Sequence, residues 1–317
     1  MILVAGAGAI GQLLAARLQM ADHDVQCLVR ERFVAPLQDL TVEGHTEFRG
    51  ALDGVTEPRG PYDAVIITAK AHQTAQVARQ VLPHLAPDGI MVSLQNGLGN
   101  GEKLTRILGA DRCAVALTAN GAYIPEPGRL VHAGVGTTQI GPAVPGPADA
   151  AQRAHALLMD AGLDATYHDT MRGPVWMKAI VNAALNPIAA LYDCTNGEVL
   201  SHPDRRALCK AIALESTALA ERARVQLPGE PWPVVKQVLE RTATNTCSMV
   251  QDVRTKRPTE VEQITGRMVR LNEKLLGHMP KSEALYGRIK DLEASYLGAD
   301  VAKQMAWDEL QWESEPF

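Results

Sequence analysis

The sequence has little cysteine and no clustered metal ligands. Its five cysteines, Cys27, Cys113, Cys194, Cys209 and Cys247, are scattered, odd in number and without a Cys-x-x-Cys pair. That pattern excludes a disulfide framework and a zinc site of ordinary spacing, and it fits a reducing compartment. No His-x-x-x-His pair occurs, so no metal is expected. Runs of lysine and arginine are also missing, and the net charge is −5. Neither nucleic acid nor an anionic membrane is therefore an expected partner. No apolar run is long enough to span a bilayer: the most apolar later stretch, 179–192, is interrupted by Asn182, Asn186 and Pro187. The apolar start of the chain lacks the basic residues of a secretory signal, its first charged side chain being Arg17. There is no internal repeat and no low-complexity segment. A soluble, cytoplasmic protein is expected.

What is present is a chain of 317 residues, 46% hydrophobic and 21% charged, enough for a sizeable core and about two domains. The first half alternates short apolar runs with helix-like stretches. Residues 2–5, 25–29, 64–68 and 90–94 suit strands buried on both faces of a parallel sheet, with helices over 71–82 and 102–108. Residues 130–132 and 137–140 read as a later pair of strands. From about Pro174 the periodicity is helical. The expected fold is α/β, an N-terminal Rossmann-type doubly wound parallel sheet over 1–169 followed by a mainly helical domain over 170–317. The long helices of the second half are compatible with a homodimer.

The segment Gly6, Ala7, Gly8, Ala9, Ile10, Gly11 makes a G-x-G-x-x-G pattern between a strand and a helix. In that context the first glycine permits a tight turn, the second lets backbone approach a pyrophosphate, and the third allows close helix–strand packing. The helix N-terminus then offers amide donors and partial positive charge to the phosphates. The end of the second strand decides which dinucleotide fits. Arg30 follows the strand and suits the 2′-phosphate of NADPH, whereas Glu31 would be the ribose-binding carboxylate of an NAD site if the strand ran one residue longer. The balance favours NADPH, with NAD open through Glu31. Lys70 and Asn96 follow the apolar runs 64–68 and 90–94, at the carboxyl ends of strands where such sheets bind ligands.

In the second half, Lys178, Asn182 and Asn186 recur at i, i+4, i+8 and form one polar stripe on an otherwise apolar helix. Buried polar groups of this kind require partners, supplied either by a substrate or by neighbouring helices. Pro187 is expected to end or kink that helix. Pro258 suits the first position of another helix, which would put Glu260 in its first turn. There Glu260 either complements the helix dipole or faces Lys178. His132 has no acidic companion in the sequence and reads as structural.

Taken in order, these pieces resemble the ketopantoate reductase family, the 2-dehydropantoate 2-reductases. The motifs are GAGAIG at 6–11, Arg30, Lys70, QNG at 95–97, PGRLVHAGVGTTQIG at 127–141, W-x-K-x-x-x-N-x-x-x-N-P at 176–187, NGE at 196–198, NTCSMVQDV at 245–253 and RPTEVEQITG at 257–266. The resemblance implies that Lys178 protonates or polarises the carbonyl of a 2-keto acid and that Glu260 binds the substrate hydroxyl. It implies that Asn182, Asn186, Asn196 and Asn245 line the substrate pocket and that Ser248 binds the substrate carboxylate. It places Asn96 near the nicotinamide and makes Arg30 and Lys70 cofactor residues. Glu262 stands where the family often has Asp, Thr265 where it often has Asn, and Cys247 where Ser is frequent. These departures keep a related 2-keto acid reductase or D-2-hydroxyacid dehydrogenase as the alternative activity. A non-catalytic dinucleotide sensor is the third reading, and it would need no proton donor.

Overall fold

The computed structural model describes residues 1–298. They divide into two compact units, one of residues 1–95 and 99–171, the other of 96–98 and the chain from Arg172 onward. The first unit runs β1 (Ile2–Ala5), α1 (Ala9–Met20), β2 (Val25–Leu28), α2 (Val34–Leu37), β3 (Leu40–Gly44), β4 (Phe48–Gly50), β5 (Asp53–Val55), β6 (Tyr62–Ile67), α3 (Thr74–Val81), β7 (Leu85–Ser93), α4 (Asn100–Leu108), β8 (Cys113–Thr118), β9 (Gly121–Glu126), β10 (Arg129–Gly134), β11 (Thr138–Pro142), α5 (Asp149–Asp160) and β12 (Ala165–Tyr167).

Eight strands form the main sheet in the order β12-β11-β8-β7-β6-β1-β2-β5. All neighbours are parallel except β11 and β8. The two-residue period of a strand sends alternate side chains to opposite faces. Ile2, Val4, Ala64, Ile66, Ile90 and Val92 pack with Leu13 and Leu14 of α1 and with Leu158 of α5. Leu3, Ala5, Val65, Ile67 and Met91 pack on the other face with Ala78 and Val81 of α3 and Leu104 of α4. Each fully buried aliphatic side chain contributes about 1.5–3 kcal/mol, which is why runs without polar alternation settle in the middle of this sheet.

The two later strands expected near 130–132 and 137–140 do not pair with each other. β11 is nearly all buried and joins the main sheet against β8. β10 alternates buried with exposed or half-buried positions along its middle, the pattern of a strand with one solvated face. It enters a second, four-stranded sheet of order β4-β3-β10-β9.

The regular elements described in the second unit are all helices, among them α6 (Arg172–Leu191), α7 (Asn196–Ser201), α8 (Pro203–Arg222), α9 (Pro231–Arg241), α10 (Ser248–Arg254), α11 (Arg267–Lys274) and α12 (Pro280–Leu297). α6 is the spine, packed against α8, α9, α10 and α12. Pro187 does not end it; the helix continues through Pro187 to Leu191. Proline removes one ladder hydrogen bond, but Ile188 and Ala189 beyond it are fully buried in the core, and that burial holds the last turn. Among the described residues, no helix is long and apolar enough to cross a membrane.

His132 of β10 is buried in the first unit, 1% exposed. Its Nδ1 lies 2.9 Å from Thr46 Oγ1, and its Nε2 lies 3.2 Å from Asn120 Oδ1 and 3.1 Å from the Gly134 carbonyl. Burial, reinforced by the nearby Arg17 charge, holds the imidazole below its ordinary value of 6.5. Between those two values the unfolded chain binds more protons than the folded one. The stability gained by keeping His132 neutral is therefore complete above 6.5 and declines as the pH falls below it. Urea melts of wild type and His132→Gln on either side of that pH check this: the acid-side loss of stability should be smaller in the variant, and equal losses would remove His132 as the cause.

Candidate functional site

The glycine loop lies between β1 and α1. Gly6 has φ +115°, and a Cβ there would meet the Ala69 backbone nitrogen at 2.5 Å. A Cβ on Gly11 would fall 1.9 Å from the Gly6 carbonyl oxygen, so both positions exclude any side chain. The Thr68 hydroxyl donates to that same carbonyl and fixes the turn. Gly8 differs: nothing lies within 4 Å of a Cβ placed on it. It is the N-cap of α1, with no side-chain cap and no acidic residue in the first turn. An uncapped helix start beside open space is suited to an anion, so the residues present fit the pyrophosphate of a dinucleotide.

Three strand ends complete this part. β2 stops at Leu28, Val29 adds one more bond to the Val55 carbonyl at 2.8 Å, and the chain enters a 3₁₀ turn at Glu31, so the strand does not extend to Glu31. Arg30 is exposed and caps a short 3₁₀ turn over Glu31–Phe33. The guanidinium groups of Arg30 and Arg32 lie 5.3 and 4.8 Å from the Phe33 ring centre, within cation–π range. Lys70, half-buried, follows β6 and caps the next 3₁₀ turn. Gln95, beyond β7, is buried and internally engaged, donating to the Ala69 carbonyl at 2.7 Å while Ser93 Oγ donates to it at 2.9 Å. That role was not evident from its position after a strand.

Asn96–Leu98 leave the first unit and group with the second. The Leu98 N–H donates to the Gln263 carbonyl at 3.1 Å, and Asn96 Nδ2 donates to Glu260 Oε2 at 3.2 Å. Glu260 is 8% exposed, and its carboxylate lies within electrostatic reach of Lys178. Desolvation pulls the Lys178 ammonium down to about 8, against the opposing pull of the Glu260 carboxylate. The structure thus brings Lys178, Glu260 and Asn96 together.

Glu260 does not sit in the first turn of an α-helix. Thr259 and Glu260 are irregular, a π-helical turn follows over Glu262–Gly266, and α11 begins only at Arg267. In this irregular stretch the Thr259 N–H donates to Glu293 Oε1 at 2.7 Å.

Asn182 and Asn186 follow Lys178 along α6, half-buried and buried respectively. The Asn186 carbonyl accepts from Cys247 Sγ at 3.8 Å, which ties α6 to the loop before α10. In that loop the Asn245 carbonyl accepts the Asn196 N–H at 2.9 Å. Asn196 Nδ2 donates to Thr242 Oγ1 at 2.7 Å, while its buried Oδ1 accepts no hydrogen bond from the described residues. Asn245 and Ser248 are exposed, Ser248 opening α10. Gln263 was missed in the sequence: it is fully buried in the π turn and neither side-chain polar atom has a partner among the described residues. A helical register shift of one residue leaves no compositional signal that could have found it.

The family of ketopantoate reductase PanE/ApbA matches residues 2–145, and its C-terminal domain matches residues 170–293. The 2-dehydropantoate 2-reductase of Vibrio cholerae is 34% identical over 301 residues, covering 93% of this chain and 98% of that one. The crystal structure of 2-dehydropantoate 2-reductase from Geobacter metallireducens GS-15 superposes with a TM-score of 0.82 at 26% identity, over 90% of this chain and 98% of the other. A ternary structure of D-mandelate dehydrogenase with NADH and anilino(oxo)acetate shares the fold, with a TM-score of 0.86 at 22% identity over 93% and 99% of the two chains. With both halves matched in order and a relative of this identity aligned along nearly its whole length, the chain belongs to the ketopantoate reductase family.

Proposed function

We propose that this protein reduces 2-dehydropantoate to (R)-pantoate with NADPH, in pantothenate biosynthesis. The observation that carries the reading is the Glu260 carboxylate, held by Asn96 and within electrostatic reach of Lys178. NADPH, when bound, supplies the hydride. As the keto carbon is reduced, its oxygen gains negative charge. An ammonium in a partly desolvated site stabilises that charge strongly and can deliver the proton. With a value of about 8, Lys178 is about nine-tenths protonated at pH 7 and yet acidic enough to transfer its proton readily. The Glu260 carboxylate keeps Lys178 charged and accepts a hydrogen bond from the substrate hydroxyl. Asn182 and Asn186 extend the polar stripe of α6 toward the substrate. The open acceptor on Asn196, with Asn245 beside it, offers a further polar contact, and the Ser248 hydroxyl serves the substrate carboxylate.

In the first unit the Gly6–Gly11 loop, with Ala7, Ala9 and Ile10, is the pyrophosphate cradle. Arg30 is the reader of the 2′-phosphate, because it stands two residues past the end of β2 beside Phe33 and Arg32. Lys70 assists at the neighbouring strand end. A related 2-hydroxyacid dehydrogenase using NADH is the second reading; Glu31, next to Arg30, is the residue that would favour it.

Absorbance assays with NADPH and NADH across a panel of 2-keto acids decide between these. Ketopantoate with NADPH should give the highest kcat/KM, and a higher value with another 2-keto acid and NADH would establish the second reading. Lys178→Ala should lose about 10²- to 10⁴-fold in kcat while binding NADPH normally by fluorescence titration. Near-normal turnover would remove Lys178 from the acid's role. The reduction rate should fall as the pH rises through about 8, because neutral Lys178 has no proton to give, and oxidation of pantoate should rise over the same range. Arg30→Ala should weaken NADPH selectively by about 1.5–3 kcal/mol, the worth of a hydrogen bond to a charged group, and equal weakening of NADH would contradict its assignment.

A further inference from the structure

Two further carboxylates are buried around the segment that carries Glu260, Glu262 two residues on and Glu293 on α12. Glu262 and Glu293 are each 1% exposed. Glu262, in the π turn, is paired with Arg270 of α11, accepts the Tyr286 hydroxyl at 2.7 Å and lies 3.5 Å from Lys290 Nζ. Glu293, on α12, divides its two oxygens. Oε2 accepts Lys290 Nζ at 3.2 Å. Oε1 takes both the N–H and the hydroxyl of Thr259, each at 2.7 Å. The Thr259 oxygen in turn accepts the Val261 N–H at 3.2 Å.

Thr259 and Val261 are the residues on either side of Glu260, and the Glu260 carbonyl itself accepts the Ile264 N–H at 3.1 Å. The backbone carrying Glu260 is thus held before, at and after that residue, and the anchor on its amino side is a carboxylate from another helix. Stability alone does not call for such an anchor, since well-packed apolar groups replace buried ion networks without loss in many proteins. Outside a regular helix, however, specific bonds of this kind fix the backbone that carries Glu260, while Asn96 holds the carboxylate end.

We propose that Glu293 is a positioning residue for Glu260: its carboxylate, held by Lys290, clamps the Thr259 N–H and hydroxyl and so fixes the Glu260 side chain toward Lys178 and the substrate hydroxyl. The inference rests on the role given to Glu260 above. Glu293 touches no reacting atom and acts only through Thr259. The Glu262 pairings serve the same segment from the other end, fastening the π turn to α11 and α12.

The test joins a substrate-dependent and a substrate-free readout. Glu293→Ala should lower kcat/KM for the 2-keto acid by about ten- to a hundredfold, the scale of a small misplacement of a binding group, with the larger share in KM and no change in NADPH affinity. In a Glu260→Gln background the same substitution should add less than about twofold, because its route of action has already been removed. Without substrate, the titration of Lys178 followed by NMR of labelled lysine should shift downward in Glu293→Ala, since a displaced Glu260 no longer supports the charge. If Glu293→Ala does not fold, Thr259→Val carries the test: it removes the clamped hydroxyl and should move both readouts in the same direction, whereas Thr259→Ser should leave them near wild type. Equal losses in both backgrounds with an unmoved Lys178 titration would overturn the proposal and make Glu293 purely structural. Because the titration needs no substrate, a protein that reduces no 2-keto acid would defeat the functional reading, and the Lys178 shift would still decide whether Glu293 positions Glu260.

Discussion

An ammonium group drawn partly out of water loses solvation that an opposite charge can replace, and Lys178 and Glu260 make one such exchange in the second unit. Lys178 sits on α6, the most deeply packed helix of the unit, so its backbone cannot yield to relieve the cost. Desolvation lowers its proton affinity to about 8 and Glu260 limits the fall. The result is an acid strong enough to give up a proton and still mostly charged near neutrality, a compromise that neither a solvated lysine nor an unpaired buried one reaches. Glu260 must then be held near it, and it is held from Asn96 on one side and from α12, through Thr259, on the other.

The first unit solves a different problem by different means. Phosphates need donors more than they need titratable groups, and backbone amides at a helix start supply them without side chains. The loop therefore depends on what is absent: no Cβ at Gly6 or Gly11, where backbone would collide, and none at Gly8, where open space remains. Arg30 and Lys70 stand at neighbouring strand ends, each opening a short 3₁₀ turn.

The sequence made the glycine loop and the strands at 2–5, 25–28 and 64–67 legible, because burial on both faces of a parallel sheet leaves short uninterrupted apolar runs that half-exposed strands and surface helices do not show. Lys178, Asn182 and Asn186 were legible as a stripe because a helix preserves spacing. The small sheet was not, since β3, β4 and β9 are short or solvent-facing and leave no such run. The helical reading of 258–271 failed at its start for a physical reason. Local sequence, a proline and a first-turn acid, favoured a helix from Pro258, but the segment follows an irregular course in which both the N–H and the hydroxyl of Thr259 bond a carboxylate 34 residues away, a tertiary contact no local pattern encodes. The passage of α6 through Pro187 is the same lesson with the opposite outcome, tertiary burial overriding a local breaker.

Three glutamates close to one another are interchangeable by charge alone, yet their surroundings give them separate work. Glu262 is surrounded by Arg270, Lys290 and Tyr286, and Glu293 by Lys290 and Thr259. In each case most acceptor sites are taken by groups of the same unit, so neither carboxylate is available to a substrate. Glu260 faces the lysine instead, with Asn96 on one oxygen. Had the segment formed a regular helix from Pro258, Glu260 and Glu262 would lie two positions apart on it, about 160° apart around the axis, and Thr259 would have its N–H among the first-turn donors without an intrahelical partner. The π turn after Val261 absorbs one extra residue before α11 begins, and Glu262 at its start is paired with Arg270 of α11 and with Lys290 and Tyr286 of α12.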